Sequence, residues 1–180
     1  MKQNYLAYSF LYDDPADLRC DFEIMSDEIA SMIGMLRSLI DNKEIREDLS
    51  KTIELMYHIN PSLRTKTAVT AEELAWLHER VERIQKETRE TFNKAAPSRG
   101  KAPRFVLPQG CTAAAYSHII RNKCKSLVRL LHRYQQQGNT VDDIIFNFTN
   151  LFSGYFFSLA LKLNKDNDVE EVEFNSRVYK

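Results

Sequence analysis

His118, Arg121, Lys125, Arg129 and His132 recur at three- and four-residue intervals. Side chains at that spacing stack along one side of an α-helix, so His118, Arg121, Lys125 and His132 share a face, with Arg129 flanking it. Like charges one turn apart repel. A helix carries them at small cost when solvent screens them, or when an anion or carboxylate neutralises them. Two readings therefore stand side by side: an ordinary solvated face, or a site for a polyphosphate. The surroundings are unusual, because no acidic residue lies between Glu90 and Asp142, whereas Lys94, Arg99, Lys101, Arg104, Lys123 and Arg133 also fall in that stretch. Such a segment in an otherwise neutral chain suggests an anion site. The opposite side of the same helix carries Ile120, Cys124, Leu127, Leu131 and Tyr134, which suits packing against a core.

Over the full 180 residues, 25 basic side chains balance 25 acidic ones, so net charge points neither to nucleic acid nor to an acidic membrane surface. A chain of this length is expected to form one domain over 1–180, with segments 1–20 and 165–180 peripheral to a core that needs no disulfide or metal. Cys20, Cys111 and Cys124 are odd in number and lack the paired spacing of a zinc site, which fits a reducing, cytoplasmic setting. The first residues lack an apolar run of signal-peptide length, and no window is read as a membrane span.

The elements that must position the basic face are helical. Gly and Pro number only five each, and the dominant period is three to four residues, so the expected fold class is all-α, read as five segments. Ile29, Ile33, Leu36 and Ile40 mark a helix from about Phe22, and Ile45, Leu49, Ile53 and Met56 mark a second that Asn60-Pro61 should stop. Thr70 to Glu73 is a capping box ahead of Leu74, Leu77, Val81, Ile84 and Phe92. Residues 95–103 are expected to form a loop, and the basic helix to run from Thr112 to about Gln136. Thr140 is the expected cap of a fifth helix, whose Ile144, Ile145, Phe148, Phe152, Phe156, Leu159 and Leu163 are apolar almost all round. Such a helix belongs at a bundle centre or a subunit interface. The alternation from Val169 to Phe174 fits either a short strand or a frayed end.

Three motifs in order resemble the propanediol-utilisation type of ATP:cob(I)alamin adenosyltransferases. Residues 105–129, FVLPQGCTAAAYSHIIRNKCKSLVR, resemble its Pro-Gly turn and active-site helix. Asn150 to Tyr155 resembles its Asn-x-Leu-Ser-Asp-Tyr motif, and Ser26 to Ile29 with Ile33-Gly34 its Val-Asp-Glu-Leu…Ile-Gly motif. The resemblance implies a five-helix bundle assembling as a homotrimer, with ATP, its Mg2+ and cobalamin bound at subunit interfaces. It implies transfer of the adenosyl group of ATP to cob(I)alamin with release of triphosphate. It further implies that Phe105 presses against the corrin and excludes a lower axial ligand, that Arg121 pairs with Asp27 of a neighbouring subunit, and that Lys125, Arg129 and Asn150 hold ATP.

The chain also departs from that pattern. Residues 1–23 contain no glycine where the family has a glycine-rich phosphate loop. Lys125 and Ser126 replace paired arginines, Val128 a glutamate, Gly154 an aspartate and Cys111 the second turn glycine. These departures leave open a non-catalytic relative that keeps the trimeric bundle and a corrinoid or other ligand pocket.

Overall fold

The computed structural model describes residues 9–95, 105–174 and 177–178. Five helices make the fold: α1 Leu18–Ser38, α2 Lys43–Ile59, α3 Ala71–Ala95, α4 Thr112–Gln136 and α5 Asp143–Asp166. Four of the five starts, all but that of α4, have a side-chain cap. Asp17 accepts from the Arg19 amide at 3.1 Å to open α1, and Asn42 accepts from the Ile45 amide at 3.1 Å to open α2. The capping box forms as expected at α3, with the Thr70 amide donating to Glu73 at 2.9 Å and the Glu73 amide to the Thr70 hydroxyl at 3.3 Å.

One boundary differs from the sequence reading. Asp142, not Thr140, caps α5 by accepting from the Ile144 amide at 3.2 Å. Its carboxylate sits next to the first helical residue, where it also complements the helix dipole. The second α-helix ends at Ile59, as Asn60-Pro61 should make it, and a single 3-10 turn, Asn60–Leu63, follows. Asn60 keeps helical angles (φ −46°, ψ −50°) that a following proline disfavours. Its side-chain amide donates to the Glu23 carbonyl and the Ser26 hydroxyl, both at 2.7 Å, and these tertiary bonds hold it there.

The apolar stripes meet in one core. Ile29, Ile33, Leu36, Leu49, Met56 and Leu77 are buried, as are Phe148, Phe152, Tyr155, Phe156 and Leu159. The side chain of Phe92 and residues 96–103 of the expected loop lie outside the described residues. Around the bundle α2 packs on α1, α1 on α4, α4 on α5 and α5 on α3. By length and composition α5 is apolar enough to cross a membrane, contrary to the sequence reading, but its apolar side chains are spent inside the bundle. A stripe of α5 through Asn147, Asn150, Gly154 and Phe157 is exposed or half-buried and lines grooves beside α3 and α4.

The seam between α2 and α3 is polar at its centre. Asp48 on α2 meets Arg80 at 3.2 Å and Arg83 at 3.4 Å, and Arg83 also pairs with Glu44. Burial raises the Asp48 carboxyl above its ordinary value although both arginines pull it down.

The tail is neither a full strand nor frayed. Val106 and Glu173 form a single antiparallel bridge, with Leu107 donating to the Val172 carbonyl at 2.8 Å and Phe174 to the Phe105 carbonyl at 2.9 Å. The segment that leads into α4 is therefore pinned from its C-terminal side in the chain.

Candidate active site

The basic face of α4 is sorted by what packs against it. Near the start of the helix α5 covers it, and His118 is 1% exposed. The Arg121 guanidinium donates to His118 Nδ1 at 3.3 Å and lies 5.1 Å from the centre of the Phe157 ring, a cation–π arrangement. The His118 ring faces the same phenylalanine at 6.1 Å. His118 is thus the support behind Arg121, not a member of the open face that its spacing suggested. Burial first, and the Arg121 charge second, hold its pKa down to about 4, so the ring is neutral and its Nδ1 serves as an acceptor.

A pH dependence follows. A histidine with a folded pKa below its unfolded value binds fewer protons in the folded state, so it lowers stability as pH falls from 6.5 towards 4. The loss is on the order of 3 kcal/mol at 1.36 kcal/mol per unit. Unfolding free energies of wild type and His118→Gln, measured from pH 7 to 4, should converge as the wild type loses more. Parallel curves would mean that His118 is not a buried neutral ring.

Arg121 and Lys125 together line a shallow groove of ≈ 280 Å³ with Phe105, Val106, Ser153, Gly154 and Phe157. No carboxylate is among those lining residues. Burial lowers the pKa of both cations, with the Arg121 charge adding at Lys125, but guanidinium stays charged in any protein. Phe105 is 67% exposed and forms one wall. A Cβ added at Gly154 meets nothing within 4 Å, so packing does not demand glycine there. The groove offers positive charge alongside two aromatic rings, which suits an anionic group beside a flat apolar ligand.

Three of the six expected site residues, Phe105, Arg121 and Lys125, are brought together in this way. Arg129 lies one turn beyond Lys125, exposed and outside the groove lining. Asn150 is exposed in a second groove of ≈ 650 Å³ between α3 and α5, beside His78, Glu79 and Glu82. Because Asn150 and Gly154 are one turn apart on α5, the two grooves are neighbours across that helix. Asp27 stands on α1, where the Tyr57 hydroxyl donates to it at 2.7 Å, so Asp27 and Arg121 have different partners within one chain. Lys123 is diverted to Glu28 at 2.7 Å and serves the α1–α4 contact.

The sequence reading missed Phe157 and Asn164. Phe157 lies three and four residues after Gly154 and Ser153, which is the spacing signal that could have found it. Asn164, 1% exposed near the end of α5, accepts from the Cys111 amide at 3.0 Å and donates to the Gln109 carbonyl at 3.0 Å. Only the folded chain brings those partners together.

The profile of the cobalamin adenosyltransferase family matches residues 16–163. The chain belongs to that family. Among solved structures similar to this cobalamin adenosyltransferase-family chain are single-residue variants of the PduO-type ATP:corrinoid adenosyltransferase of Lactobacillus reuteri. One, complexed with cobalamin and ATP, aligns with a TM-score of 0.74 at 18% identity over 89% of this chain and 87% of that one. A second variant with the same ligands gives 0.73 at 18% over 91% and 86%, and a third, complexed with ATP, 0.73 at 20% over 88% of each. At this identity the likeness establishes the shared fold. No curated protein sequence matches the chain.

Proposed function

We propose that the chain transfers the adenosyl group of ATP to cob(I)alamin, giving adenosylcobalamin and triphosphate. The observation that carries this reading is the groove that Arg121 and Lys125 line together with Phe105 and Phe157. In the transfer, the Co(I) electron pair attacks the 5′ carbon of ATP. A cobalt–carbon bond forms, the carbon–oxygen bond to the triphosphate breaks, and the triphosphate leaves with that bond's electron pair. Arg121 and Lys125 stabilise the charge gathering on the leaving group, and Phe105 covers the corrin with an apolar face that keeps a lower ligand away.

Arg129 and Asn150 extend ATP binding from positions next to the groove, and Asp27 pairs with Arg121 of a neighbouring copy. Several features support a homotrimer in which subunits complete one another's sites. A groove of ≈ 280 Å³ lies below the usual size for a ligand pocket, Phe105 is open to solvent, and Asp27 and Arg121 do not meet within one chain. Mg2+ fits this scheme as the counter-ion carried by the triphosphate. The described residues contain no group of three or more His, Cys, Asp or Glu side chains placed to hold a metal. A single domain over 1–180 and a cytoplasmic setting belong to the same proposal.

The test is anaerobic incubation with ATP, cobalamin and a reductant, reading adenosylcobalamin by absorbance, alongside separate calorimetric titrations of ATP and cobalamin. Turnover with binding of both is the expected result. Cobalamin binding without ATP binding or turnover would instead assign the chain to the non-catalytic reading that Val128 and Gly154 suggested.

A further inference from the structure

We infer that Asn164 is a positioning residue for the corrinoid side of the site, setting where Phe105 stands by tying the turn behind it to the tail segment beside it. The inference rests on the proposed role of Phe105. Phe105 has little core contact of its own, being 67% exposed, so its backbone must fix the place of its ring. That backbone is held at two points. On one side the tail brackets it, through Phe174 donating to the Phe105 carbonyl at 2.9 Å and Leu107 donating to the Val172 carbonyl at 2.8 Å. On the other, the chain turns through Gln109, Gly110 and Cys111 into α4.

A single buried carboxamide joins both points. Asn164 Oδ1 accepts from the Cys111 amide at 3.0 Å, and Nδ2 donates to the Gln109 carbonyl at 3.0 Å and to Glu171 Oε1 at 2.9 Å. Its own carbonyl accepts from the Val169 amide at 2.9 Å, which reverses the chain after α5 and returns the tail towards Phe105. Gly110 shows how closely the turn is fitted. Its φ is +125°, a region that favours glycine, and an added Cβ would fall 2.0 Å from Asn164 Oδ1. Both amide protons of Asn164 are used, so a carboxylate of the same shape could not replace it. Aspartate would face the Gln109 carbonyl and the Glu171 carboxylate with no proton to offer either.

The test is steady-state kinetics with the full chain, varying cob(I)alamin and ATP separately, for Asn164→Asp, Asn164→Ala, Glu171→Ala and the double variant Phe105→Ala/Asn164→Ala. Asn164→Asp is expected to lower kcat/KM for the corrinoid by about ten- to a hundred-fold, the scale of small misplacements at a reacting centre, with little change in KM for ATP. In the Phe105→Ala background, Asn164→Ala should add no further loss, because the two act through one wall. Hydrogen exchange at the Leu107 and Phe174 amides should rise in the Asn164 variants while the middle of α4 stays protected. Should circular dichroism show that Asn164→Asp does not fold, Glu171→Ala carries the test, with a smaller loss in the same direction. Equal losses for both substrates, or additive losses in the double variant, would overturn the role of Asn164. A wild-type protein that neither binds nor turns over cobalamin would overturn the reading of the groove instead, and hydrogen exchange would still report whether Asn164 ties the tail to the turn.

Discussion

Arg121→Ala is expected to lower kcat/KM for adenosyl transfer by about two to three orders of magnitude, the usual scale for removing one preorganised charge donor. The size follows from how Arg121 is held. His118 accepts from it on one side and the Phe157 ring lies 5.1 Å from its charge, so little reorganisation is needed when charge appears on the leaving group. Lys125 and Arg129 are exposed and solvated, and each should contribute less. Arg121→Lys keeps the charge but loses the planar fork that reaches His118 and stacks on Phe157, so an intermediate loss is expected. Anaerobic initial rates with each substrate varied in turn measure this. A transition-state role lowers kcat, whereas a loss confined to KM would make Arg121 only a binding group. Arg121→Ala activity within threefold of wild type would remove it from the chemistry.

Asp48→Ala should be the most damaging change away from the site. The side chains of Asp48, Arg80 and Arg83 are 8%, 23% and 34% exposed, and together they fill the seam between α2 and α3. Removing the carboxylate leaves two arginines with their shared partner gone. Breaking a buried ion pair on one side costs about 3–5 kcal/mol, and the low end applies because both arginines can turn towards water. For a chain of this size that is a fall of roughly 6–12 °C in Tm. Asp48→Asn should be far milder. It keeps an oxygen acceptor, and burial already raises the Asp48 pKa, so the fold gains little from the charge itself. The sign agrees: a carboxyl with a raised folded pKa binds its proton more tightly in the folded state. Its contribution therefore falls as pH rises from 3.8 through the folded value, and it adds nothing to acid lability. Thermal melts of both variants at neutral pH give the comparison, and equal Tm losses would mean that the charge, not the acceptor, holds the seam.

Much of this architecture was legible before any coordinates. Five helices were expected and five are present among the described residues, because each carries an apolar stripe of the right period and most have a capping residue at the start. Pairing Arg121 with Lys125 needed only their four-residue spacing, and the turn before α4 was readable from Pro108 and Gly110. The all-round apolar pattern of α5 pointed to a bundle centre or a subunit interface, and most of its apolar side chains are buried within the bundle. These properties are local, set by side chains within a turn or two of one another.

Only the tertiary structure decided which cations face the groove. Periodicity put His118 and Arg121 on one face of α4, but it could not say that α5 covers that face at His118 and leaves it open at Lys125. Nor could it say that Glu28 on α1 takes up Lys123. The same limit hid Asn164, whose partners Gln109 and Cys111 lie more than 50 positions away in the chain. It also hid the hydrogen bonds that keep Asn60 helical before a proline. A helix period reports the direction in which a side chain points. What it meets there is set by a second element, placed by the packing of the whole core.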